Sequence, residues 1–354
     1  MKGSIQVGVI GCGGMATGVH LPNLAKVPAL RLRATCDIRA DAAESAAKKY
    51  GADYSTTDHR RILDDDSIDL CIVATRHDSH AHLTLEIVEA GKHLLVEKPM
   101  CMTPAETDQI LMAVEQADIV YTVGHNRRYA PLAVKAARAL DGRSKPWIVN
   151  YRMVDRVWRD HWALSPHEGG GRIISEAGHV FDFLAWLLDS DPVRIYAQGG
   201  QFTHPELADT QDNAVMTVSF ENGSLASIVH GDIGHEGLAK ERIEAFVGEA
   251  AFVLDDFRSL KTLGLSPDLD LTVEQDKGHL RELELLAEAI ESGGRMPVDE
   301  SAAARAMFCS FAALESIRSG SAVGLDNSAW RPIREAAEPH AGRPDFEPSE
   351  DTSY

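Results

Sequence analysis

The first third of the sequence alternates short apolar runs with longer segments of helical composition, and this rhythm restricts the fold more than any other feature. The run at residues 70–74 is apolar throughout, as expected for a strand covered on both faces. The predicted strands are residues 5–10, 30–36, 70–74, 93–96 and 119–123. Strands that alternate with helices in this way indicate an α/β fold with a doubly wound parallel sheet.

After residue 124 the pattern changes, because strand-like segments now follow one another directly. Asn222 and Gly223 separate two of these segments and are the strongest short signal for a β-hairpin. The predicted strands are residues 147–157, 193–197, 214–220, 225–229 and 243–247, and the late helices are 279–292 and 300–318. This half is therefore expected to form an α+β domain with a mostly antiparallel sheet.

The domain boundaries are predicted from this change of pattern and from the chain length. A chain of 354 residues is long enough for two domains at roughly 150 residues each. We predict a first domain at residues 1–124, a second at 125–334 and a loosely ordered tail at 335–354. The tail contains six acidic residues and one basic residue, which favours a solvated segment.

The composition narrows the range of partners. The formal net charge of −19 repels phosphate backbones and anionic lipid, so we expect no nucleic acid and no membrane partner. No apolar run approaches the roughly 18 residues that a membrane-spanning helix needs. The five cysteines form no C-x-x-C pair, which favours reduced thiols and a cytoplasmic location.

A glycine-rich segment follows the first predicted strand and opens a helix. Residues 11–16, Gly-Cys-Gly-Gly-Met-Ala, fit the dinucleotide fingerprint G-x-G-x-x-G/A. The first glycine permits the tight turn, the second lets the backbone approach a pyrophosphate, and the final alanine allows close helix–strand packing. We therefore predict a Rossmann domain whose loop binds a dinucleotide through Gly11, Gly13, Gly14, Met15 and Ala16.

Asp37 ends the second predicted strand, where a carboxylate can accept hydrogen bonds from ribose hydroxyls. Its charge repels a 2′-phosphate, which favours NAD as the cofactor. Arg39 lies two residues further on and can pair with such a phosphate, so NADP stays open. Asp37, Ile38 and Arg39 are predicted to bind the cofactor.

Two further segments carry groups suited to proton and charge transfer. Lys98 follows the strand at 93–96 and can stabilise negative charge on a substrate oxygen. After three glycines at 169–171, Glu176, His179 and Asp182 recur every three residues and so share one helical face. His179 suits proton transfer near neutral pH. One alternative is that the acidic residues only complement the dipole at the start of a helix. Another is metal binding, but a single Glu-x-x-His motif has too few ligands to fill a coordination shell, so no metal is predicted.

Together these motifs resemble the glucose–fructose oxidoreductase / inositol dehydrogenase (Gfo/Idh/MocA) family. The resemblance covers about residues 5–323 and adds the segments 97–99, Glu-Lys-Pro, and 124–129, Gly-His-Asn-Arg-Arg-Tyr. It implies a Rossmann domain followed by an α+β domain whose large open sheet often serves in oligomer contacts. It further implies NAD(P)-dependent hydride transfer from a secondary hydroxyl of a sugar, cyclitol or related polyol, in a homo-oligomer (dimer or tetramer).

The resemblance also implies roles for individual residues. Lys98 would lie beside the nicotinamide and the substrate, and His179 would be the general base. Many family members carry an aspartate where this chain has Ser175, so the adjacent Glu176 either replaces that acid, holding His179, or only orients the helix. The residues implied to lie near the cofactor are Thr75, His80, Glu97, Lys98 and Asn126.

The substrate pocket is predicted around a cluster of arginines and aromatic residues that precedes the three glycines. Such side chains can stack on a sugar ring or bind a carboxylate, and they equally suit a packed surface. The predicted substrate-binding residues are Lys98, Arg152, His161, Trp162 and His179.

Two other functions remain open from the sequence alone. A redox-neutral lyase, epimerase or glycosidase would oxidise its substrate transiently and return the hydride. A non-catalytic NAD-binding regulator would keep the fold without turnover. The presence of both Lys98 and His179 favours catalysis over the regulator.

Overall fold

A computed structural model describes residues 3–207 and 210–330 of the chain. These residues form two β-sheets with helices packed against them. The acidic tail predicted at 335–354 lies outside the described residues. None of the helices within the described part combines the length and apolar character needed to cross a bilayer.

The first sheet contains six parallel strands in the order β3-β2-β1-β4-β5-β6. This order reverses direction between β1 and β4, and doubly wound sheets place their ligand crevice at the carboxyl ends of the strands around such a point. The strands are β1 Ile5–Ile10, β2 Leu30–Cys36, β3 Tyr54–Thr56, β4 Leu70–Val73, β5 His93–Val96 and β6 Tyr121–Val123. The predicted Rossmann sheet is therefore confirmed.

The helices begin and end where local chemistry favours it. Helix α2 ends at Gly51 in the left-handed conformation, and α5 starts with a capping box between Thr103 and Glu106. The first helix opens with a π-helical turn, Ala16–His20. The helices are α1 Leu21–Leu24, α2 Ala40–Tyr50, α3 Arg60–Leu63, α4 His80–Glu89, α5 Pro104–Glu115, α6 Pro131–Ala139, α7 Gly171–Leu188, α8 His279–Ser292 and α9 Glu300–Ser319.

The second sheet contains nine strands in the order β14-β13-β12-β11-β7-β10-β9-β8-β15. Only the β7–β10 pair among these described strands is parallel, and the hairpin between β9 and β10 turns at Gly223 as predicted. The strands are β7 Ile148–Arg156, β8 Pro192–Gly200, β9 Asn213–Phe220, β10 Leu225–Gly234, β11 Glu241–Val247, β12 Ala250–Asp255, β13 Ser259–Leu263, β14 Asp270–Thr272 and β15 Val323–Gly324. The predicted mostly antiparallel sheet is confirmed, and β12 to β15 are additional strands.

The two faces of the second sheet differ. On β7, Tyr151 and Met153 point into the core beneath α7 and are buried, whereas Ile148 is 57% exposed on the opposite side. We call this opposite side the open face. Its exposed apolar side chains are Ile148, Val215, Leu225, Val229, Phe246 and Leu263.

The late helices α8 and α9 return to the first sheet. Leu283 and Leu286 of α8 belong to the core of the parallel sheet, and the Thr122 hydroxyl on β6 donates to the Val298 carbonyl at 2.8 Å. Helix α9 contributes Met307 to this core and Cys309 to the core of the second sheet. The domain boundaries predicted from the sequence stay predictions, because both sheets share these helices.

Candidate active site

The glycine loop forms a cradle between β1 and the first helix. Gly11 has φ +93°, and a β-carbon there would lie 2.5 Å from the Ala74 carbonyl oxygen, so the loop after β4 excludes any side chain. At Gly13 and Gly14 a β-carbon would find no heavy atom within 4 Å, so the cradle is open on that side. Ala16 is fully buried against the sheet. This arrangement fits a pyrophosphate over the loop.

Asp37 is fixed by the same loop. Its carboxylate accepts hydrogen bonds from the backbone N–H groups of Cys12 at 2.8 Å and Arg39 at 2.9 Å. The Arg39 guanidinium is largely exposed, 3.8 Å from the same carboxylate, and the Ile38 side chain is 93% exposed. Each carboxylate oxygen keeps a lone pair, so Asp37 suits recognition of two ribose hydroxyls.

Two predicted residues support the loops that follow β4 and β5. The fully buried ring of His80 lies 2.7 Å from the Pro99 carbonyl oxygen through Nδ1, so it ties these loops together. The Thr75 hydroxyl lies 2.6 Å from the Ser79 hydroxyl. Burial lowers the pKa of His80, which keeps the imidazole neutral.

Glu97 is a buried carboxylate that accepts a hydrogen bond from His20 Nε2 at 2.7 Å. Burial alone would raise the pKa of Glu97. The hydrogen bond and charge of His20, together with the charge of Lys98, outweigh burial and lower this pKa to about 2. Glu97 therefore stays ionised behind the loop that carries Lys98.

Asn126 connects the end of the first sheet to the start of α8. Its side-chain amide donates to the Lys277 carbonyl at 2.7 Å and lies 2.9 Å from His279 Nε2. Its carbonyl oxygen accepts from Arg127 Nη1 at 2.8 Å. The side chain thus joins the segment after β6 to the late helix.

Lys98, in the loop after β5, meets Glu176 on α7, and we call this junction between the two sheets the cleft. The Lys98 ammonium donates to Glu176 Oε1 at 2.5 Å, and the Lys240 ammonium donates to Glu176 Oε2 at 2.7 Å. Burial would raise the pKa of Glu176, but the charges of Lys240, Lys98 and Arg172 hold this pKa well below its usual range. The Glu176 carboxylate is therefore ionised and accepts hydrogen bonds from both lysines.

His179 lies one helical turn beyond Glu176 and is buried. Burial first, and then the charges of Arg127 and Lys98, lower the pKa of His179 well below 6.5, so the ring is neutral. Its edge contacts the His125 ring, with 5.5 Å between centroids. Nδ1 of His179 is buried and has no hydrogen-bond partner among the described residues. A neutral imidazole in this position can accept a proton.

The expectation that Glu176 holds His179 stays a prediction, and no hydrogen bond among the described residues supports it. Both oxygens of Glu176 are engaged by lysines, and no hydrogen bond joins Glu176 to His179 within the described part of the chain. The Ser175 hydroxyl donates to the Arg172 carbonyl at 3.4 Å, so it does not take over the expected contact with His179. Glu176 instead positions the Lys98 ammonium.

The three glycines allow α7 to start in a crowded corner. Gly171 has φ +78°, and a β-carbon there would lie 2.7 Å from Asp212 Oδ1. The same oxygen accepts the backbone N–H of Arg172 at 2.7 Å, which satisfies one of the free donors of the first helical turn. This start directs Glu176 and His179 towards the end of β5.

An aromatic wall at the cleft is formed by Trp158, His161, Trp162 and His77. Two pairs of rings meet edge to face, with 4.4 Å between the centroids of Trp158 and His161 and 4.6 Å between those of His77 and Trp162, whereas His161 and Trp162 are tilted at 31°. Burial and the charges of Arg172 and Lys98 lower the pKa of His161. The structure thus brings the predicted residues His161 and Trp162 together, with 5.4 Å between their ring centroids.

Arg152 lies away from this cluster. It alternates with Tyr151 and Met153 on β7, so its side chain emerges on the open face, where it donates to the Ala239 carbonyl at 3.0 Å. The alternation of a strand separates it from its sequence neighbours in the aromatic wall. The predicted substrate contact of Arg152 has no support from this placement.

Three charged residues that were not predicted for the site complete the cleft. Lys240 Nζ lies 3.2 Å from Asp155 Oδ2, and Arg172 Nη2 lies 3.6 Å from the same oxygen. No local motif marks Lys240 and Asp155, whose positions depend on long-range strand pairing. Arg172 lies in the first turn of α7, four residues before Glu176, and its Nη2 is 3.9 Å from Glu176 Oε2. In the described residues, no group of three or more His, Cys, Asp or Glu side chains could hold a metal ion.

Comparison with known proteins identifies the family. A model described as "Oxidoreductase family, NAD-binding Rossmann fold" matches residues 5–125, and the "GFO/IDH/MocA C-terminal domain" matches residues 145–250. The chain belongs to the Gfo/Idh/MocA oxidoreductase family. It therefore carries an NAD-binding Rossmann domain, in agreement with the open glycine cradle and the fixed carboxylate of Asp37.

Similar proteins include curated relatives and solved structures. "Uncharacterized oxidoreductase YrbE" of Bacillus subtilis is 28% identical, over 82% of this chain and 84% of its own length. "Myo-inositol 2-dehydrogenase" of Thermotoga maritima is 24% identical, over 91% of this chain and 99% of its own. A structure titled "Levoglucosan dehydrogenase, complex with NADH and L-sorbose" has a TM-score of 0.81 and 21% identity, over 92% and 99% of the two chains. An oxidoreductase domain protein from Kribbella flavida has a TM-score of 0.84 and 21% identity, over 92% and 100%.

The placement of Asp37 predicts the choice of dinucleotide. The substitution Asp37→Ser removes charged hydrogen bonds to the ribose, so the Kd for NADH should rise about tenfold or more. It also removes the repulsion of a 2′-phosphate, so the Kd for NADPH should fall. Fluorescence titration of the reduced cofactors measures both. Adding Arg39→Ala in the Asp37→Ser background should raise the Kd for NADPH again. If the ratio of the Kd values for NADH and NADPH were the same in Asp37→Ser as in wild type, this role of Asp37 would be contradicted.

Proposed function

We propose that this enzyme oxidises a secondary hydroxyl of a sugar, cyclitol or related polyol and transfers the hydride to NAD. The observation that carries the proposal is the ion pair between Lys98, which follows β5 of the first sheet, and Glu176, which lies one helical turn before His179 on α7. The charge of Lys98 also helps to lower the pKa of His179. The names of relatives that act on myo-inositol, scyllo-inositol and levoglucosan support the substrate class.

The proposed cofactor site extends from the glycine cradle to Lys98. Gly11, Gly13, Gly14 and Ala16 with half-buried Met15 shape the cradle, and Asp37, Ile38 and Arg39 lie at the ribose end. Four other residues do not line the cradle, but their hydrogen bonds fix the loops around it: Thr75, His80, Glu97 and Asn126. NAD supplies the hydride acceptor at its nicotinamide ring when bound.

The chemistry of the chain itself is the binding of the alcohol and the movement of one proton. The Lys98 ammonium donates a hydrogen bond to the hydroxyl oxygen and stabilises charge on it as it becomes a carbonyl. His179, neutral in its buried site, takes the hydroxyl proton. Glu176 fixes the position of the Lys98 ammonium, and the aromatic wall excludes water and offers rings for stacking.

The assignment of Lys98 and His179 is tested by substitution. Lys98→Met and His179→Asn should each lower kcat by about 100-fold or more, because each removes a group that acts in the transition state. The Kd for NADH should change less than about threefold. Accumulation of NADH with a panel of inositols, sugars and levoglucosan is the measurement. Exposed Lys135→Met and His82→Asn serve as matched controls, and turnover within about threefold of wild type in either site variant would refute the assignment.

The neutral state of His179 predicts the pH dependence. A general base must be unprotonated before it can accept a proton. Because the pKa of His179 lies well below the ordinary histidine value of 6.5, its imidazole is unprotonated at pH 6.5. The kcat/KM for alcohol oxidation should therefore stay level as the pH falls to 6.5 and decline only at lower pH. Initial rates of NADH formation between about pH 5 and pH 9 measure this profile. An acidic limb centred at or above pH 6.5 would rule out His179 as this base.

We also propose a cytoplasmic homo-oligomer, a dimer or tetramer, that assembles through the open face. The face presents Ile148, Val215, Leu225, Val229 and Phe246, and cross-strand pairs such as Val229 with Val215 place these side chains next to one another. Exposed apolar patches of this kind mark protein interaction sites. Five buried, unpaired cysteines support a reducing location.

The oligomer proposal predicts how charged substitutions act. Wild-type protein should have a mass of two or four times 38.5 kDa by light scattering. The double substitution Val229→Glu and Phe246→Glu should shift it to the monomer, because two buried charges per protomer cost more than the apolar contact returns. Met112→Glu changes an exposed apolar residue on α5 and should leave the mass unchanged. A wild-type monomer, or an unaffected double variant, would contradict the interface.

A further inference from the structure

Two ammonium groups flank the carboxylate of Glu176. Lys98 binds one oxygen at 2.5 Å, and Lys240 binds the other at 2.7 Å. Because both oxygens belong to one carboxylate, the two ammonium groups are held close together. Both lysine side chains are partly exposed, 21% for Lys98 and 23% for Lys240, whereas the Glu176 side chain is only 7% exposed. The ammonium groups of Lys98 and Lys240 are therefore accessible from the cleft, whereas the carboxylate that holds them is buried.

Lys240 is fixed in place more firmly than an ordinary surface lysine. A second carboxylate, Asp155, lies 3.2 Å from its ammonium, and Arg172 approaches the same carboxylate oxygen at 3.6 Å. The Arg172 guanidinium in turn lies 3.8 Å from the centre of the Trp158 ring. Two of the three Lys240 ammonium protons are thus directed at carboxylates, and the third has no acceptor among the described residues.

The neighbouring groups indicate what this third proton binds. Lys98, Lys240 and Arg172 carry three positive charges against the two negative charges of Asp155 and Glu176, and both carboxylates lie within 3.2 Å of the Lys240 ammonium. An anionic substrate group at Lys240 would meet these two carboxylates at short range. A neutral hydroxyl has lone pairs for the ammonium and a proton for partly exposed Asp155, so it satisfies both partners without adding charge.

We propose that Lys240 binds the substrate hydroxyl next to the one that Lys98 holds, so that the enzyme selects polyols with two adjacent hydroxyls. This inference rests on the proposed function, because it assigns a second contact to the same polyol. Lys240 makes this contact in the ground state and in the transition state alike. It therefore acts on substrate affinity and specificity, whereas Lys98 acts on the chemical step.

The first test compares Lys240→Met with wild type and with Lys240→Arg, using myo-inositol and levoglucosan as probes. A lost hydrogen bond to a charged group should raise KM about 10-fold to 100-fold, while kcat stays within about threefold. Lys240→Arg keeps the charge and donors and should recover most of the affinity. Lys98→Met should instead lower kcat and change KM little. If Lys240 only held Glu176, Lys240→Met would lower kcat and leave KM unchanged, which would overturn the proposal.

A binding measurement separates this inference from the proposed function. Quenching of tryptophan fluorescence gives the Kd of each polyol for the NADH-bound enzyme, with no turnover required. If wild type binds a polyol but forms no NADH, the proposed oxidation fails, and the Kd ratio between wild type and Lys240→Met still tests Lys240. A ratio below about threefold would overturn the inference. Failure of wild type to bind or oxidise any polyol would overturn both.

The second test removes the hydroxyl instead of the lysine. A deoxyinositol that lacks a hydroxyl next to the oxidised carbon should bind wild type about tenfold or more weakly than myo-inositol, and should bind Lys240→Met no worse than myo-inositol does. Independent, multiplicative losses would show that Lys240 contacts something else. The NADH affinity of Lys240→Met should match wild type, and its thermal midpoint should fall, because Asp155 loses its nearest cation while Glu176 keeps Lys98. Lys240→Gln replaces this variant if folding fails. Lys135→Met is the exposed control.

Discussion

The ion pair between Lys98 and Glu176 is the interaction on which the cleft depends. It joins the carboxyl edge of the parallel sheet to the helix that covers the antiparallel sheet. Burying two charges costs several kcal/mol, so such a contact is tolerated only when every charge finds a partner in good geometry. Lys240, Asp155 and Arg172 extend the contact into an alternating row of charges. Because displacement of any member leaves a buried charge unpaired, the row favours one relative position of α7 and β5.

Burial has opposite consequences for the two titratable groups on α7. The pKa of Glu176 falls because three cations surround it and outweigh the loss of hydration. The pKa of His179 falls because burial and the charges of Arg127 and Lys98 all disfavour the imidazolium. One carboxylate therefore stays charged and one imidazole stays neutral at the same pH, which is the combination that a proton-accepting site beside a fixed ammonium requires.

Features set by short stretches of chain were predictable from the sequence. The glycine loop and Asp37 follow from backbone demands at the ends of β1 and β2, and the helical spacing of Glu176 and His179 follows from one turn of α7. Lys240 was not predictable, because its position depends on β11 pairing with β7 across about 90 residues. Arg152 shows the complementary limit: its neighbours in sequence reach the cleft, but strand alternation turns it to the open face.

The return of α8 to the first sheet affects how the chain acquires its structure. Leu283 and Leu286 fill a core whose strands end at Val123, so the two parts of that core are separated by about 160 residues of chain. During synthesis the amino-terminal strands emerge from the ribosome long before their covering helix exists. The parallel sheet can complete its packing only after nearly all of the chain has been translated, which leaves apolar surface for chaperones to protect in the interval.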